Sequence, residues 1–401
     1  MTVKDIEKAA GRLQGVLHHI PLSSSKTFSD MSGAELYLKY ENQQKTGSFK
    51  VRGAYNKIAK LLENEEVHTV IASSAGNHAQ GVAFAACALN LKSIIVMPRA
   101  TPIAKISATE GYGAEVVLDG DCYDDAYAKA MEIQKETGAA FIHPFDDFDV
   151  IAGQGTIAIE IFREVPMVDV IVVPAGGGGL LAGIAYYVKQ INPRVKLVGV
   201  QAQGADAIVR SFRKKERVFT DSVLTIADGI AVKAPGSLTV EMINRYVDEM
   251  VTVTDAQIAE AILLLIERCK QVVEPAGAAA LAAILNRKLD IQGKRVACVL
   301  SGGNIDVSFI HKIVEKGLIT RGRQMKFRTV LPDVPGSLQR FSGIIAGENA
   351  NIIMIQYDRL LAELKLNEAV LHVACEVGSI EHGEALVRKL EKENYRVTME
   401  S

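Results

Sequence analysis

The sequence predicts an α/β protein built on open parallel sheets and followed by a small ferredoxin-like sandwich. From about residue 65, short β-branched runs alternate with longer helical stretches, which is the rhythm of βαβ units. A chain of 401 residues exceeds one typical core and, at roughly 100 to 200 residues per domain, divides into about two or three. Beyond residue 326 the order becomes strand, helix, strand, strand, helix, strand.

Residues 67–72 form the first apolar, β-branched run, 79–90 an alanine-rich helix, and 93–97 the next strand. The same texture recurs at 114–118, 168–173, 196–200 and 296–300. In such sheets the sites lie at the carboxyl ends of the strands. The polar, basic stretch 316–324 marks a boundary, giving a larger domain over residues 1–320 and a smaller one over residues 326–401. In the smaller domain a strand at 327–331 is followed by the turn 332–336, a helix to 348, strands at 352–357 and 369–377, a helix from 381 and a last strand at 395–399.

The 45 basic and 47 acidic residues leave a net charge of −2, which favours neither nucleic acid nor an anionic membrane as partner and points to a small-molecule function. Cys87, Cys122, Cys269, Cys298 and Cys375 are odd in number and show no paired spacing, as expected in a reducing cytoplasm. The first residues lack the apolar core of a signal peptide, and no stretch approaches the ~18 apolar residues of a membrane span. A cytoplasmic protein is expected.

Lys50 lies in the run Lys45-Thr46-Gly47-Ser48-Phe49-Lys50-Val51-Arg52-Gly53. An amine forms a Schiff base with a carbonyl once desolvation or a neighbouring cation lowers its pKa, and Phe49 is placed to shield it from water. A lone lysine is more often a solvated surface charge, so the rest of the chain has to decide. Gly176-Gly177-Gly178-Gly179-Leu180 follows the strand 168–173, where N–H groups at the next helix start cradle an anion without a cationic side chain. One or two glycines would serve the turn geometry alone, whereas four exceed it. A nucleotide stays possible, although the acidic partner of a dinucleotide site is not evident. Lysine and cradle together suit an aldehyde that carries a phosphate.

Ser74-Ala75-Gly76-Asn77-His78 stands at another strand-to-helix turn, able to hold a carboxylate, with an Asn77 amide able to bond a phenolic oxygen; an ordinary N-capped helix start looks the same. Ser301, after the strand 296–300, points a hydroxyl from a sheet edge or simply forms a turn. The stretches 274–278 and 225–231 each suit a helix cap or a loop. Apart from His78, the histidines at 18, 19, 68, 143, 311, 372 and 382 show no metal-ligand spacing.

In this order the motifs resemble the fold-type II pyridoxal-phosphate enzymes, and specifically the threonine dehydratases (threonine ammonia-lyases), over nearly the whole chain. The resemblance implies the tryptophan-synthase-β-like fold, with a smaller subdomain at about 43–150 inserted in the larger. It implies that Lys50 holds pyridoxal 5'-phosphate as a Schiff base, with Phe49 packed near the ring and Asn77 on the ring oxygen. Gly176, Gly177, Gly178, Gly179 and Leu180 would bind the phosphate, and Ser301 would face the pyridine nitrogen. Ser74, Ala75, Gly76, Asn77 and His78 would bind the substrate carboxylate. The implied reaction is α,β-elimination on L-threonine, and on L-serine, giving 2-oxobutanoate or pyruvate and ammonia. A neutral serine at the ring nitrogen limits electron withdrawal and favours elimination over deeper carbanion chemistry.

Racemases of this family carry a serine where this chain has Ala75. Members with a divalent-cation site carry carboxylates where it has Gln201 and Ala207, so no metal is expected. The tail resembles an ACT domain, whose ligand turn would comprise Asp333, Gly336, Ser337 and Leu338, with isoleucine or valine as implied effector; an oligomerisation module is the plainer alternative. A homo-oligomer, dimer or tetramer, is expected. A serine-preferring dehydratase, another β-elimination or β-replacement enzyme, and a non-catalytic amino-acid sensor stay open as alternatives.

Overall fold

A strand that is apolar on both faces must be covered on both, and Val170–Pro174 is buried at every position. In the computed structural model, which describes residues 1–360 and 365–400, it lies inside a six-stranded sheet. The spatial order is Ser23–Ser24, Glu35–Tyr40, Arg295–Leu300, Val170–Pro174, Lys196–Ala202 and Glu249–Val253. All neighbours are parallel except the first pair. The strands Glu35–Tyr40 and Glu249–Val253 add to those expected from the sequence.

The chain leaves this sheet after Tyr40 and returns at Val170. In between it builds a second, fully parallel sheet in the order Glu115–Leu118, Lys92–Met97, Thr69–Ser73, Ala140–Phe141. The helices Lys50–Asn64 and Phe148–Glu164 flank this excursion and pack together. Glycine permits their close crossing, since a Cβ on Gly153 would lie 2.5 Å from the Arg52 carbonyl oxygen. Ile151, Ile171, Leu181 and Leu197 belong to the core beside the first sheet, and Val70, Val82, Ile95 and Met97 to that beside the second.

The compact units divide between Ile305 and Asp306. The sequence texture put the boundary near 320, after the helix Val307–Thr320, because that amphipathic helix matches those before it; its contacts lie with the strand Gln324–Pro332. The C-terminal unit carries an antiparallel sheet ordered Asn351–Asp358, Glu368–Glu376, Gln324–Pro332, Thr398–Met399, with helices Ser337–Gly347 and Ile380–Lys392. Phe327, Phe341, Leu371 and Leu386 are fully buried in its core. This is the ferredoxin-like βαββαβ arrangement, compatible with an ACT-like domain. Its last strand is shorter than expected because Tyr395 ends the preceding helix instead, its N–H donating to the Leu390 carbonyl and its ring lying 5.3 Å from that of Phe341. Among the described residues no helix is long and apolar enough to cross a membrane.

Candidate active site

Lys50 opens the helix Lys50–Asn64, and the loop before it is fastened to the turn after the strand Arg295–Leu300. The Phe49 N–H donates to the Ser301 carbonyl (3.1 Å), Gly303 N–H to the Gly47 carbonyl (2.9 Å), and Ser48 bridges to Gly302. Two motifs some 250 residues apart in sequence thereby share one wall. Ser301 is buried, and its carbonyl is spent on this staple.

The Lys50 amine donates to the Pro144 carbonyl at 2.9 Å and lies 5.3 Å from the centroid of the Phe49 ring. Burial pushes it down to about 8 against the opposing pull of Glu274. The amine therefore loses its proton around pH 8 rather than in the ordinary lysine range, and the neutral form is the state a nucleophile or base requires.

The four glycines join the strand Val170–Pro174 to the helix Gly179–Ile191. Gly178 takes a φ of +97°, which favours glycine, and a Cβ there would lie 2.8 Å from the Thr239 Cβ. A Cβ on Gly177 would enter the Phe145 ring, and one on Gly176 would sit 2.9 Å from the Ile230 Cα. Thr239 Oγ1 donates to the Gly177 carbonyl (2.7 Å), which satisfies that oxygen within the turn. Thr239 is itself placed by Asp146, which accepts from the Ser237 and Thr239 N–H groups at 3.0 and 3.1 Å. The first N–H groups of a helix have no partner within it, so this turn offers an anion site.

Residues 143–146 thus hold both halves. Pro144 meets Lys50, Phe145 lies beneath the glycines, Asp146 sets Thr239, and His143 Nδ1 accepts from the Phe145 and Asp146 N–H groups at 3.2 and 2.8 Å. Nothing in the sequence marked this segment, since its contacts with Lys50, the glycines and Thr239 are long-range.

Ser74, Ala75 and Gly76 form the turn before the helix Asn77–Ala88, with Ser74 Oγ accepting from Gly76 N–H at 3.3 Å. The Asn77 amide nitrogen donates to both oxygens of Glu274, at 2.8 and 3.0 Å, and Asn77 Oδ1 is buried with no partner. Glu274 is the site residue that sequence reasoning left among undiagnostic caps. The buried His78 ring pairs through Nε2 with the Ile142 carbonyl at 2.8 Å. Burial, with the Lys50 charge adding to it, pushes this imidazole down to about 3, so it is neutral and faces the fold. Gln201 Oε1 accepts from Val209 N–H at 2.8 Å; among the described residues no three His, Cys, Asp or Glu side chains cluster to hold a metal.

The description "Pyridoxal-phosphate dependent enzyme" fits the model of one protein family, which matches residues 15–302. The chain belongs to that family. The L-threonine ammonia-lyase of Thermotoga maritima is 47% identical over 397 residues, covering 99% of each chain. Among solved structures, a threonine deaminase from T.th. superposes with a TM-score of 0.72 at 40% identity, covering 76% of this chain and 99% of that one. Maize serine racemase gives 0.74 at 34%, covering 79% and 98%.

This enzyme is pyridoxal-phosphate dependent, and its own residues fit the cofactor. Lys50 offers a low-pKa amine for the aldehyde, and a glycine-walled helix start suits the phosphate. Thr46, Ser48, Ser73 and Asn77, on the surrounding segments, each keep a buried polar side-chain atom without a protein partner, as a polar ligand would require.

In the C-terminal unit the expected ligand turn is built as follows. Gly336, with a φ of +89°, opens the helix Ser337–Gly347, and Ser337 Oγ is buried without a partner. Asp333 Oδ1 accepts from Tyr357 OH (3.0 Å) and lies 3.2 Å from Arg359 Nη2, while Leu338 is exposed.

Proposed function

We infer that the protein is an L-threonine ammonia-lyase that also accepts L-serine: loss of water across the α,β-bond leaves an enamine, whose imine tautomer takes up water and releases ammonia, so that the net products are ammonia and 2-oxobutanoate or pyruvate. The observation that carries this is the 47% identity to such an enzyme over 99% of both chains, together with a Lys50 amine lowered to about 8. Pyridoxal phosphate, when bound, supplies the ring that withdraws electrons from the substrate α-carbon.

In this reading Lys50 carries the cofactor and, once freed, takes the α-proton, a task suited to an amine that is largely neutral slightly above pH 8. The N–H groups from Gly176 to Leu180 bind the phosphate through the dipole of the helix Gly179–Ile191. The turn Ser74–Ala75–Gly76 and the start of the helix Asn77–Ala88 receive the substrate carboxylate, and His78 serves through its backbone, its ring being committed to Ile142. Ser301 faces the ring nitrogen without charging it, and Phe49 excludes water beside Lys50. Ala75 leaves no hydroxyl at the position where racemases place a serine, which supports elimination over racemisation.

The finer assignments belong to the same proposal. The fold of the C-terminal unit and the unpaired Ser337 hydroxyl support an amino-acid effector at Asp333, Gly336, Ser337 and Leu338. A homo-oligomer, dimer or tetramer, is the expected assembly. The cytoplasm is the expected compartment, where five free cysteines stay reduced. The function is tested by supplying PLP with L-threonine or L-serine and following 2-oxo acid release. Threonine turnover with the higher kcat/KM is expected; ligand binding with no ammonia from either substrate would point to a sensor instead.

A further inference from the structure

Glu274 precedes the helix Pro275–Leu285 and has no role in the steps proposed so far. Only 6% of it is exposed, and both its oxygens face the Asn77 nitrogen. Its own N–H donates to the Gly302 carbonyl at 3.0 Å, and it takes a backbone hydrogen bond from Asn304. Two loops leave room for the carboxylate by using glycine: a Cβ on Gly302 would lie 2.5 Å from Glu274 Oε1 and 3.2 Å from Asn77 Nδ2, and one on Gly229 would lie 3.5 Å from Oε1. The charges that reach it are Lys50 and Lys105.

An ionised carboxylate only accepts hydrogen bonds, so it takes the N–H end of the amide and leaves Asn77 Oδ1 facing elsewhere. That oxygen is the buried, unpaired atom. A protonated carboxyl also donates; it can pair with Oδ1 and release the N–H end to turn outward. An ionised ring oxygen needs the N–H end, whereas a protonated one can donate to Oδ1.

We propose that Glu274 is a positioning residue whose protonation decides which end of the Asn77 amide is presented to the cofactor ring. The inference rests on the pyridoxal-phosphate site described above. Burial pushes the Glu274 carboxyl up to about 7 despite the opposing effects of Asn77, Lys105 and Lys50, so the exchange falls in the physiological range. Below that pH the amide offers its N–H groups, and above it Oδ1.

The test is the absorbance of PLP bound to the full-length protein, followed from pH 5.5 to 8.5 in wild type, Glu274→Gln and Glu274→Asp. Wild type should show a spectral transition with a midpoint near 7, which Glu274→Gln loses and Glu274→Asp keeps at a shifted midpoint. Losing a hydrogen bond to a charged group should lower kcat roughly 10- to 100-fold in Glu274→Gln, with a smaller change in KM. A transition that persists in Glu274→Gln belongs to Lys50 or the cofactor phosphate and would overturn the proposal. If Glu274→Gln fails to fold, as thermal unfolding will show, folded Glu274→Asp decides, and loss of the transition there also overturns it. Wild type without any Lys50-dependent absorbance would refute the underlying site reading, whereas a normal wild-type signal unaltered in Glu274→Gln refutes this inference alone.

Discussion

Two residues beyond Lys50, Arg52 is 1% exposed and closes a buried network of four charges. Its Nε and Nη2 donate to the two oxygens of Glu41 at 2.8 Å each, Nη1 and Nη2 to those of Glu160 at 2.6 and 2.9 Å, and Nη1 to Thr156 Oγ1 at 3.1 Å. Lys39, itself fully buried, lies 2.6 Å from Glu160 and 3.9 Å from Glu41. Two cations balance two carboxylates, and the attraction wins over burial, raising the pKa of Arg52 and lowering that of Glu160. Arg52→Met removes five hydrogen bonds and leaves one uncompensated buried carboxylate, which costs about 3–5 kcal/mol. Arg52→Met with Glu41→Gln leaves only Lys39 and Glu160, balanced again, and should recover at least half of that loss. Urea unfolding of the cofactor-free protein measures both, and slower PLP capture should accompany the single variant because the helix start that carries Lys50 is loosened. A single variant within about 1 kcal/mol of wild type, or a double variant no better than the single, would refute the charge accounting.

Two further outcomes follow from the site. Gly177→Ala drives a methyl into the Phe145 ring, so about 1–3 kcal/mol of stability should be lost along with PLP affinity; equilibrium dialysis and thermal unfolding check this, and unchanged affinity would remove the phosphate from this loop. The rate of PLP capture by cofactor-free protein should rise with pH through about 8, since only the neutral Lys50 amine attacks, and a midpoint near the ordinary lysine value would contradict the desolvated environment.

Continuous β-branched runs made the central strands legible, because a strand covered on both faces needs no alternation. Glu35–Tyr40 escaped because Lys39, charged in sequence, is buried by its ion pairs, and Ala140–Phe141 because two residues carry no periodicity. Lys50 and the glycine run were legible since amine chemistry and anion cradles impose residue types locally. Glu274 and Asn77 are 197 residues apart, and Thr239 and Gly177 are 62 apart, so their pairing exists only once the sheets have formed. His78 shows the converse, a residue legible within a motif whose ring turns to the Ile142 carbonyl.

The most direct test is reduction of the PLP-loaded protein with borohydride, followed by peptide mass analysis. A pyridoxyl group fixed on the peptide containing Lys50, absent from a Lys50→Ala variant that also fails to release 2-oxobutanoate from L-threonine, is the predicted result. Label on another lysine, or undiminished turnover by Lys50→Ala, would contradict the account.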